Sequence, residues 1–278
     1  VGKDGQQIFK HNENNIRLIT FLKGDIFGDA PKSNPLYENL GKFLGRFSTT
    51  MQGFGHPKSH QPDFLWNLDN AMFTKQYIAD VENADDKELV EYFYNRYEKL
   101  VIPRLDRMRS CVIHSDANTY NLVVQGDEIS GLIDFGDMVF AKQINELAIA
   151  LGYAVLDVDN IFAISESLIS GYTGEFPLSE DELEVLFDLA AMRLIMSVCI
   201  SSNRASAASD DKHREYLTIT QAPAFKALRK LRKIGMSFLN AFARKASGYD
   251  AHRNLAPLKA SLDGIKINNM FDFNFKEY

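Results

Sequence analysis

The stretch from Cys111 to Asp137 constrains the fold of this chain more than any other part of the sequence. A short apolar run leads into a polar loop, a second apolar run follows the loop, and Gly126-Asp127 precedes a third run. The runs are rich in valine, leucine and isoleucine, as strands are, and a Gly-Asp pair suits a tight turn. The stretch therefore predicts a strand, a loop, a strand, a turn and a strand.

Three polar side chains stand where these predicted strands begin or end. Asp116 and Asn121 lie in the loop, and Asp134 follows the third strand. Because the hairpin returns to the loop, we expect the three side chains to meet. Carboxylate and amide oxygens are suitable ligands for Mg²⁺, and a remaining carboxylate can orient a hydroxyl group for phosphoryl transfer. We therefore assign Asn121 and Asp134 as metal ligands and Asp116 as the catalytic residue.

The spacing of these residues is that of kinase-type motifs. His114-x-Asp116-x-x-x-x-Asn121 comes first and Asp134-Phe-Gly follows, which is the order of the catalytic loop and the metal-binding segment in kinases. Asp and Asn are also common in turns, so either motif alone would be weak. Together, on this strand-rich background, they predict phosphoryl transfer. His114 is interpreted as a structural residue behind the loop, and Asp137 either binds substrate or, the commoner role, caps the following helix.

The composition narrows the class of protein and its partners. A chain of 278 residues with 45% hydrophobic residues can form one large domain or two smaller ones. Its net charge of -6 argues against a nucleic-acid partner and is compatible with a cationic small substrate. No apolar run of transmembrane length and no signal-peptide pattern occur, so no membrane partner is expected. Cys111 and Cys199 are predicted to be buried free thiols in a reducing, cytoplasmic environment.

Outside the central stretch the pattern is mostly helical. Residues 6–10 and 16–22 are predicted to form a hairpin, with a hinge at residues 23–25. The predicted helices begin at Pro35, with Asn34 as the cap, and continue over residues 86–108, 144–156, 161–169, 182–201 and 224–246. The predicted fold class is α+β, with a helical body over residues 26–258. The tail at residues 259–278 is expected to pack on this body or lead into another domain.

Three features outside the motifs are given structural interpretations. Trp66, the only tryptophan, is interpreted as a core anchor. Pro103 is expected to kink its helix or to end it early. The lysines and arginines of residues 224–246 could form a basic binding face, but the solvated side of an amphipathic helix is the commoner explanation.

The two motifs resemble those of the aminoglycoside phosphotransferase and choline kinase superfamily, small-molecule kinases with a protein-kinase-like fold. The matching stretches are residues 114–121, residues 132–137 and Asn145-Glu-Leu-Ala, which opens the next helix. The Ala-Pro-Glu segment of protein kinases is not found in the sequence. The resemblance implies a mostly helical C-terminal lobe, ATP and Mg²⁺ as cofactors, and adenine contacts from the backbone of Phe21, Leu22 and Lys23.

A narrower resemblance is to the hydroxylysine-kinase branch of this superfamily. That branch includes kinase domains fused to a downstream aminotransferase-like domain, so a fused downstream domain is one expected partner. The supporting stretches are residues 16–24, 66–68, 216–220 and 222–223. Many relatives have Asp where this chain has Thr119, which leaves the identity of the acceptor open.

The superfamily also has a front lobe with a loop over the nucleotide and a lysine that contacts the phosphates. This chain reaches its expected hinge near Phe21 to Lys23, so residues 1–22 are interpreted as the last two strands of such a lobe. Neither Lys3 nor Lys10 has the strand and helix context of the phosphate lysine. Either the sequence is a truncated piece, or the lobe is a remnant that cannot hold ATP properly.

Three functions follow from these observations. The leading one is an ATP- and magnesium-dependent kinase that phosphorylates a hydroxyl of an amino alcohol or a hydroxylated amino acid. Asp137 and Asp157 are then candidates for holding the ammonium group of a cationic acceptor. The alternative is a non-catalytic, kinase-like binding or scaffold module of a larger protein. A weaker third interpretation is a protein kinase, motivated by the literal Asp134-Phe-Gly sequence.

Overall fold

The computed structural model describes residues 5–262, and its helices and small sheets confirm the predicted α+β class. The strands are β1 (Phe9–His11), β2 (Asn14–Ile16), β3 (Asp25–Ile26), β4 (Ser110–Ile113), β5 (Leu122–Gln125), β6 (Glu128–Leu132) and β7 (Val139–Lys142). The α-helices are α1 (Asn34–Met51), α2 (Ala84–Arg96), α3 (Ile102–Leu105), α4 (Ile144–Ala154), α5 (Ile161–Glu175), α6 (Glu180–Leu183), α7 (Leu186–Ser206), α8 (Asp211–Thr218), α9 (Gln221–Ile234), α10 (Met236–Ala246) and α11 (Leu255–Leu262). Shorter 3₁₀-helical segments cover Pro57–Ser59, Leu68–Asp80 and Phe135–Asp137.

The central hairpin has the strands and the turn that the sequence predicts. β5 and β6 pair in antiparallel fashion, and Gly126-Asp127 connects Gln125 to Glu128 as a two-residue turn. Gly126 has a φ of 61°, a left-handed conformation that glycine adopts without a steric penalty. β3 extends this sheet by pairing with β5.

The strand before the polar loop pairs with a strand that the sequence analysis did not predict. β4 lies antiparallel to β7, from Ser110 opposite Lys142 to Ile113 opposite Val139. The sequence predicts a mostly helical pattern outside residues 111–137, and β7 was not predicted. A four-residue run is too short to identify a strand from its own periodicity, and only the pairing with β4 reveals it. Residues 114–121 thus form a loop between two small sheets.

The N-terminal hairpin is shorter than predicted. β1 pairs with β2 from Phe9 opposite Ile16 to His11 opposite Asn14. Asn12 makes the turn with a φ of 53°, which asparagine tolerates better than most residues. The predicted second strand reached residue 22, but residues 17–22 form no regular structure.

Helix α1 begins almost where its sequence signals place it. The Oγ of Ser33 accepts the N–H of Leu36 at 3.1 Å, so Ser33 is the cap and the prediction of Asn34 is wrong by one residue. Pro35 lies in the first turn as expected, where its missing N–H has no cost.

Helices α1 and α5 approach each other at backbone contact. A Cβ atom at Gly41 would lie 2.2 Å from the carbonyl oxygen of Leu168. A Cβ atom at Gly171 would lie 2.2 Å from the carbonyl oxygen of Glu38. These two positions therefore have no room for a side chain, and the helix pair depends on glycine at both.

The helix predicted over residues 86–108 is interrupted. α2 ends at Arg96, Tyr97–Val101 forms a π-helical turn, and α3 ends at Leu105. Pro103 lies in the first turn of α3, where it cannot donate a backbone hydrogen bond. The early end of the helix agrees with the expectation for this proline.

The core of the helical body is built around α4 and α7, which are apolar on nearly every side. Within residues 5–262, α7 is the helix with the length and apolarity of a bilayer span, and 83% of its most apolar stretch is buried inside the fold. Cys111 and Cys199 are buried and free, as predicted. Three charged residues within these helices, Glu146, Asp188 and Arg193, are also buried, so each needs a polar partner in the interior.

The C-terminal helices contain a break that the sequence analysis missed and two helices, α8 and α11, that it did not predict. The helix predicted over residues 224–246 is divided at Gly235, whose φ is 100°, and α8 was not predicted. The basic side chains of α9 turn to carboxylates of the same chain: Arg232 lies 2.8 Å from Glu88, and Arg229 pairs with Asp86. These pairs favour the solvated-face interpretation. α11 runs past Lys259 to Leu262, and the rest of the predicted tail lies outside the described residues.

Candidate active site

The carboxylate of Asp116 lies at the centre of the loop between β4 and β5 and is fixed by three side chains. Its Oδ1 accepts Nη2 of Arg193 at 2.8 Å. Its Oδ2 accepts Nδ2 of Asn118 at 2.9 Å and Nδ2 of Asn121 at 2.8 Å. The side chain keeps 19% of its surface exposed. The carboxylate is therefore held in one orientation and still open to a small molecule.

The amide of Asn121 has an orientation that its neighbours define. One terminal atom lies 2.8 Å from Oδ2 and 2.9 Å from the backbone oxygen of Asp116. Both of those atoms are acceptors, so the terminal atom must be the NH₂ group, and the amide oxygen points the other way. Among the described residues no donor reaches that oxygen. It is therefore available as a ligand for a cation.

Asp134 adjoins Asn121 through the backbone. The N–H of Ile133 donates to the carbonyl oxygen of Asn121 at 2.9 Å, which places the next residue, Asp134, beside the loop. Asp134 has a φ of 61°, a left-handed conformation that is unusual outside glycine. Its side chain is exposed and, among the described residues, accepts only the N–H of Gly136, at 3.3 Å. The predicted convergence of Asp116, Asn121 and Asp134 is therefore found.

The side-chain oxygen atoms of Asn121 and Asp134 are suitable ligands for a magnesium ion. An amide oxygen and a carboxylate are hard oxygen ligands, and Mg²⁺ is commonly held by one or two such groups together with water and phosphate oxygens. Within residues 5–262 no cluster of three or more His, Cys, Asp or Glu residues could hold a metal ion by itself. A cation at Asn121 and Asp134 would therefore draw its other ligands from a bound nucleotide and water.

His114 is buried, and both of its ring nitrogens are engaged. Nδ1 accepts the backbone N–H of Asp116 at 3.3 Å, and Nε2 lies 3.0 Å from the carbonyl oxygen of Ile133. This arrangement requires the proton on Nε2, so the ring is neutral. Burial lowers the pKa of His114, although the nearby carboxylates oppose the shift. The ring links the start of the loop to the end of β6, in keeping with the predicted structural role.

Glu146 supports the loop from behind and was not assigned a role from the sequence. It lies in α4, is fully buried, and its Oε2 accepts the backbone N–H of His114 at 2.6 Å. Burial raises the pKa of Glu146 to about 7, Asp116 adds to the shift, and hydrogen bonds from the loop backbone oppose it. A single carboxylate in an otherwise apolar helix is the signal that could have identified it.

Arg193 and Trp66 form the wall beside Asp116, and neither was assigned to the site from the sequence. Arg193 lies in α7, is buried, and also donates from Nη1 to the carbonyl oxygen of Trp66 at 3.3 Å. Its guanidinium carbon is 4.8 Å from the centre of the Trp66 ring and 5.8 Å from that of Tyr153. Trp66 packs against the core with part of its ring, as predicted for an anchor, and is only half-buried. The sequence signal that could have identified Arg193 is an arginine within an apolar helix, because a buried arginine needs a polar partner.

The two predicted substrate residues, Asp137 and Asp157, differ from each other in their surroundings. Asp137 is half-buried in the turn after Asp134, and burial, Asp116 and Asp134 together raise its pKa, opposed by Arg193. Its alternative role as a helix cap is wrong, because β7 separates it from α4. Asp157 is exposed and pairs with Lys226 at 3.4 Å. The structure does not bring Asp157 into the hydrogen-bonded group, and its role stays a prediction.

The segment predicted to contact adenine, residues 21–23, lies against the β5–β6 hairpin. The carbonyl oxygen of Lys23 accepts Nε2 of Gln125 at 2.8 Å and Oγ of Ser130 at 3.0 Å. The Phe21 ring is 84% exposed, and Leu22 is exposed to a smaller extent. Adenine binding by this segment stays a prediction.

Comparison with known proteins places the chain in a family. The sequence profile of the phosphotransferase enzyme family matches residues 3–173, which include both motifs. The chain belongs to the phosphotransferase enzyme family. Hydroxylysine kinase of Mus musculus is 26% identical over 232 residues, covering 79% of this chain and 61% of the mouse protein. Homoserine kinase of Agrobacterium fabrum is 27% identical over 194 residues, covering 66% of this chain and 56% of that protein.

These relatives confirm the expected resemblance to the hydroxylysine-kinase branch of the family. The chain spans less than two thirds of their length, as the 61% and 56% coverages show. Among solved structures, an amicoumacin kinase superposes with a TM-score of 0.57 at 15% identity, over 82% of this chain and 70% of that one. An aminoglycoside phosphotransferase from Alicyclobacillus acidocaldarius has a TM-score of 0.57 at 12% identity, over 88% and 76%. The predicted protein-kinase-like fold is thereby confirmed.

Proposed function

We propose that this protein transfers the γ-phosphoryl group of ATP to a hydroxyl group of a small amine or amino acid. The observation that carries the proposal is the convergence of the oriented Asp116 carboxylate with the free amide oxygen of Asn121 and the exposed carboxylate of Asp134. Phosphoryl transfer depends mainly on positioning and charge neutralisation, and these three groups can supply both.

Each side chain has a separate task in this reaction. Asp116 accepts a hydrogen bond from the acceptor hydroxyl and takes its proton as the bond between that oxygen and the γ-phosphorus forms. The bond from the γ-phosphorus to the bridging oxygen breaks, and ADP leaves. Arg193, Asn118 and Asn121 hold that carboxylate, so it does not turn away from the acceptor. Asn121 and Asp134 would hold Mg²⁺, which neutralises charge on the phosphates when bound. His114 and Glu146 fix the loop backbone behind these groups.

The similar proteins support an acceptor that carries both a hydroxyl and an amino group. Two relatives are named hydroxylysine kinase and homoserine kinase. A microcompartment-associated aminopropanol kinase has the same fold, with a TM-score of 0.55 at 16% identity over 90% of this chain. The amicoumacin kinase structure contains AMP-PNP, an ATP analogue, together with Ca²⁺. Asp137 stands close enough to Asp116 to interact with its charge, so an acceptor ammonium near the hydroxyl would find a carboxylate there.

The proposal is tested with the full-length protein, ATP, Mg²⁺ and a panel of hydroxylated amines and amino acids. We expect phosphorylation of at least one acceptor and a loss of turnover of at least about 100-fold in Asp116→Asn, because the residue that receives the proton is neutralised. Asp106→Asn, a change of an exposed side chain that makes no hydrogen bond or ion pair to the described residues, is the matched control and should keep full activity. Absence of turnover with every acceptor, or full activity of Asp116→Ala, would contradict the proposal.

A second candidate function is a non-catalytic, kinase-like binding module. The observation that favours it is the segment between β2 and β3. Residues 17–22 form no strand there, and Leu18 and Phe21 are 89% and 84% exposed. Calorimetry of the 278-residue chain with ATP and Mg²⁺ separates the two functions. Micromolar binding counts against this module, and absence of binding counts in favour of it.

A further inference from the structure

Arg204 differs from almost every other arginine of the structure. Within residues 5–262, all arginines except Arg17 and Arg204 form an ion pair with a carboxylate of the same chain. Arg204 is exposed near the end of α7 and has no hydrogen bond or ion pair to any described residue. Its guanidinium carbon lies 5.9 Å from the centre of the Trp66 ring. The group therefore adjoins the candidate active site with its donors free.

Trp66 is shared by two guanidinium groups. Arg193 and Arg204 lie on the same helix, about three turns apart, and so on the same face of it. The guanidinium carbon of Arg193 is 4.8 Å from the same indole ring. Asp116 is the carboxylate paired with Arg193, and no described carboxylate is paired with Arg204. The wall beside the site thus has one unbalanced positive charge.

We propose that Arg204 binds the carboxylate of the acceptor, with the Trp66 ring as the platform that holds its guanidinium plane. This inference rests on the proposed function and narrows its substrate class to hydroxylated amino acids. A guanidinium presents a rigid set of N–H donors that matches both oxygens of a carboxylate, and an aromatic face favours a stacked guanidinium. No described residue accepts a hydrogen bond from Arg204, whereas Nη1 and Nη2 of Arg193 donate to the Trp66 carbonyl oxygen and to Asp116.

The three charged positions would then orient one molecule. The acceptor hydroxyl lies at Asp116, its ammonium group turns towards Asp137, and its carboxylate reaches Arg204. An amino alcohol without the carboxylate leaves Arg204 unpaired and in water, so it gains nothing from that residue. The carboxylate therefore separates hydroxylated amino acids from their decarboxylated analogues.

Matched acceptor pairs test this inference on the full-length protein. The pairs are homoserine with 3-aminopropan-1-ol, and 5-hydroxylysine with 1,5-diaminopentan-2-ol, each of which differs only by the carboxylate. Binding without ATP is measured by calorimetry or ligand-observed NMR, and KM and kcat are measured with ATP. We expect at least one amino acid to bind about 10- to 100-fold more tightly than its analogue, as a charge-assisted hydrogen-bonded contact allows.

Arg204→Gln should remove that preference. Its Kd and KM for the amino acid should rise about 10- to 100-fold, while the values for the decarboxylated analogue and for ATP stay within about twofold. Arg204→Lys keeps the charge without the planar donor set and should lie in between. Arg107→Gln, an exposed arginine that pairs with Asp181 on another surface, is the control and should change none of these values.

The outcomes separate this inference from the proposed function. If no acceptor is phosphorylated, the proposed function fails, and the binding measurement still tests Arg204. The inference is overturned if the wild-type protein binds neither amino acid more tightly than its analogue, or if Arg204→Gln weakens both members of a pair equally. It is also overturned if the change raises the KM for ATP instead, since Arg204 would then contact phosphate.

Discussion

The Oε2 atom of Glu146 accepts the backbone N–H of His114 at 2.6 Å, inside the protein. This contact joins the buried helix α4 to the first residue of the loop that carries Asp116. Because Glu146 is fully buried, its charged form is disfavoured, and its pKa rises to about 7. The loop that carries Asp116 is therefore supported by a group that titrates near neutral pH.

Glu146 should make the stability of the protein depend on pH. Its pKa in the folded protein lies above the ordinary value of 4.5, so between pH 4.5 and about 7 the folded state binds a proton that the unfolded state lacks. The stabilisation is therefore full below pH 4.5 and is lost as the pH rises through about 7. We expect the free energy of unfolding to fall by up to about 3 kcal/mol between pH 5 and pH 8 from this group.

Urea denaturation at several pH values between 5 and 8 measures this effect. In Glu146→Gln, which carries no titratable group at this position, the fall should be absent. Glu166→Gln, an exposed change on α5, should keep the wild-type pH dependence. Equal slopes in the wild-type protein and in Glu146→Gln would show that Glu146 does not titrate in this range.

Arg193 should be needed for both stability and turnover. Arg193→Met leaves the partly buried Asp116 carboxylate without its ion-pair partner, which we expect to lower the free energy of unfolding by about 2 kcal/mol. Turnover should fall more than about 10-fold, because the carboxylate is no longer held towards the acceptor. Arg193→Lys keeps the charge and should show a smaller loss of stability. Chemical denaturation and kcat measurements check this, and a wild-type kcat in Arg193→Met would refute the positioning role.

Asn121 and Asn118 should differ in their effect on the metal requirement. Both donate to Oδ2 of Asp116, at 2.8 Å and 2.9 Å. The amide oxygen of Asn118 already accepts the backbone N–H groups of Tyr120 and Asn121, whereas no described donor reaches that of Asn121. In Asn121→Ala we expect the Mg²⁺ concentration for half-maximal activity to rise at least about 10-fold. Asn118→Ala should lower kcat without that shift. A metal titration of both variants decides the matter, and equal shifts would argue against Asn121 as a ligand.

Two glycines of the helical body should respond to alanine in opposite ways. Gly41→Ala would place a Cβ atom 2.2 Å from the Leu168 carbonyl oxygen, so α1 and α5 must move apart, at a cost of at least about 2 kcal/mol. Gly174 also lies in α5, but nothing is within 4 Å of its added Cβ atom. Gly174→Ala should stabilise the protein by about 0.5–1 kcal/mol. Thermal denaturation of both variants checks the prediction, and similar changes in both would contradict the backbone contact.

Local patterns in the sequence were enough for the features that local chemistry determines. The Gly126-Asp127 turn, the buried helix that follows the motifs, and the loop that carries Asp116 and Asn121 all lie where the sequence places them. Their determinants, which are turn chemistry, helical periodicity and motif spacing, act over a few residues. Caps and helix ends were less accurate, as Ser33 in place of Asn34 shows, because neighbouring residues can satisfy the same N–H groups.

Contacts between distant parts of the chain decided the features of the fold and of the candidate site that the sequence analysis did not predict. The pairing of β4 with β7, the support of His114 by Glu146, and the ion pair of Asp116 with Arg193 each join residues that are far apart in sequence. No local periodicity records such a partner; a charge within an apolar helix shows only that one must exist. The sequence by itself thus identified the residues to which the proposed chemistry is assigned. The tertiary structure decided what holds them, because burial makes each of these charges depend on a partner that only folding brings within reach.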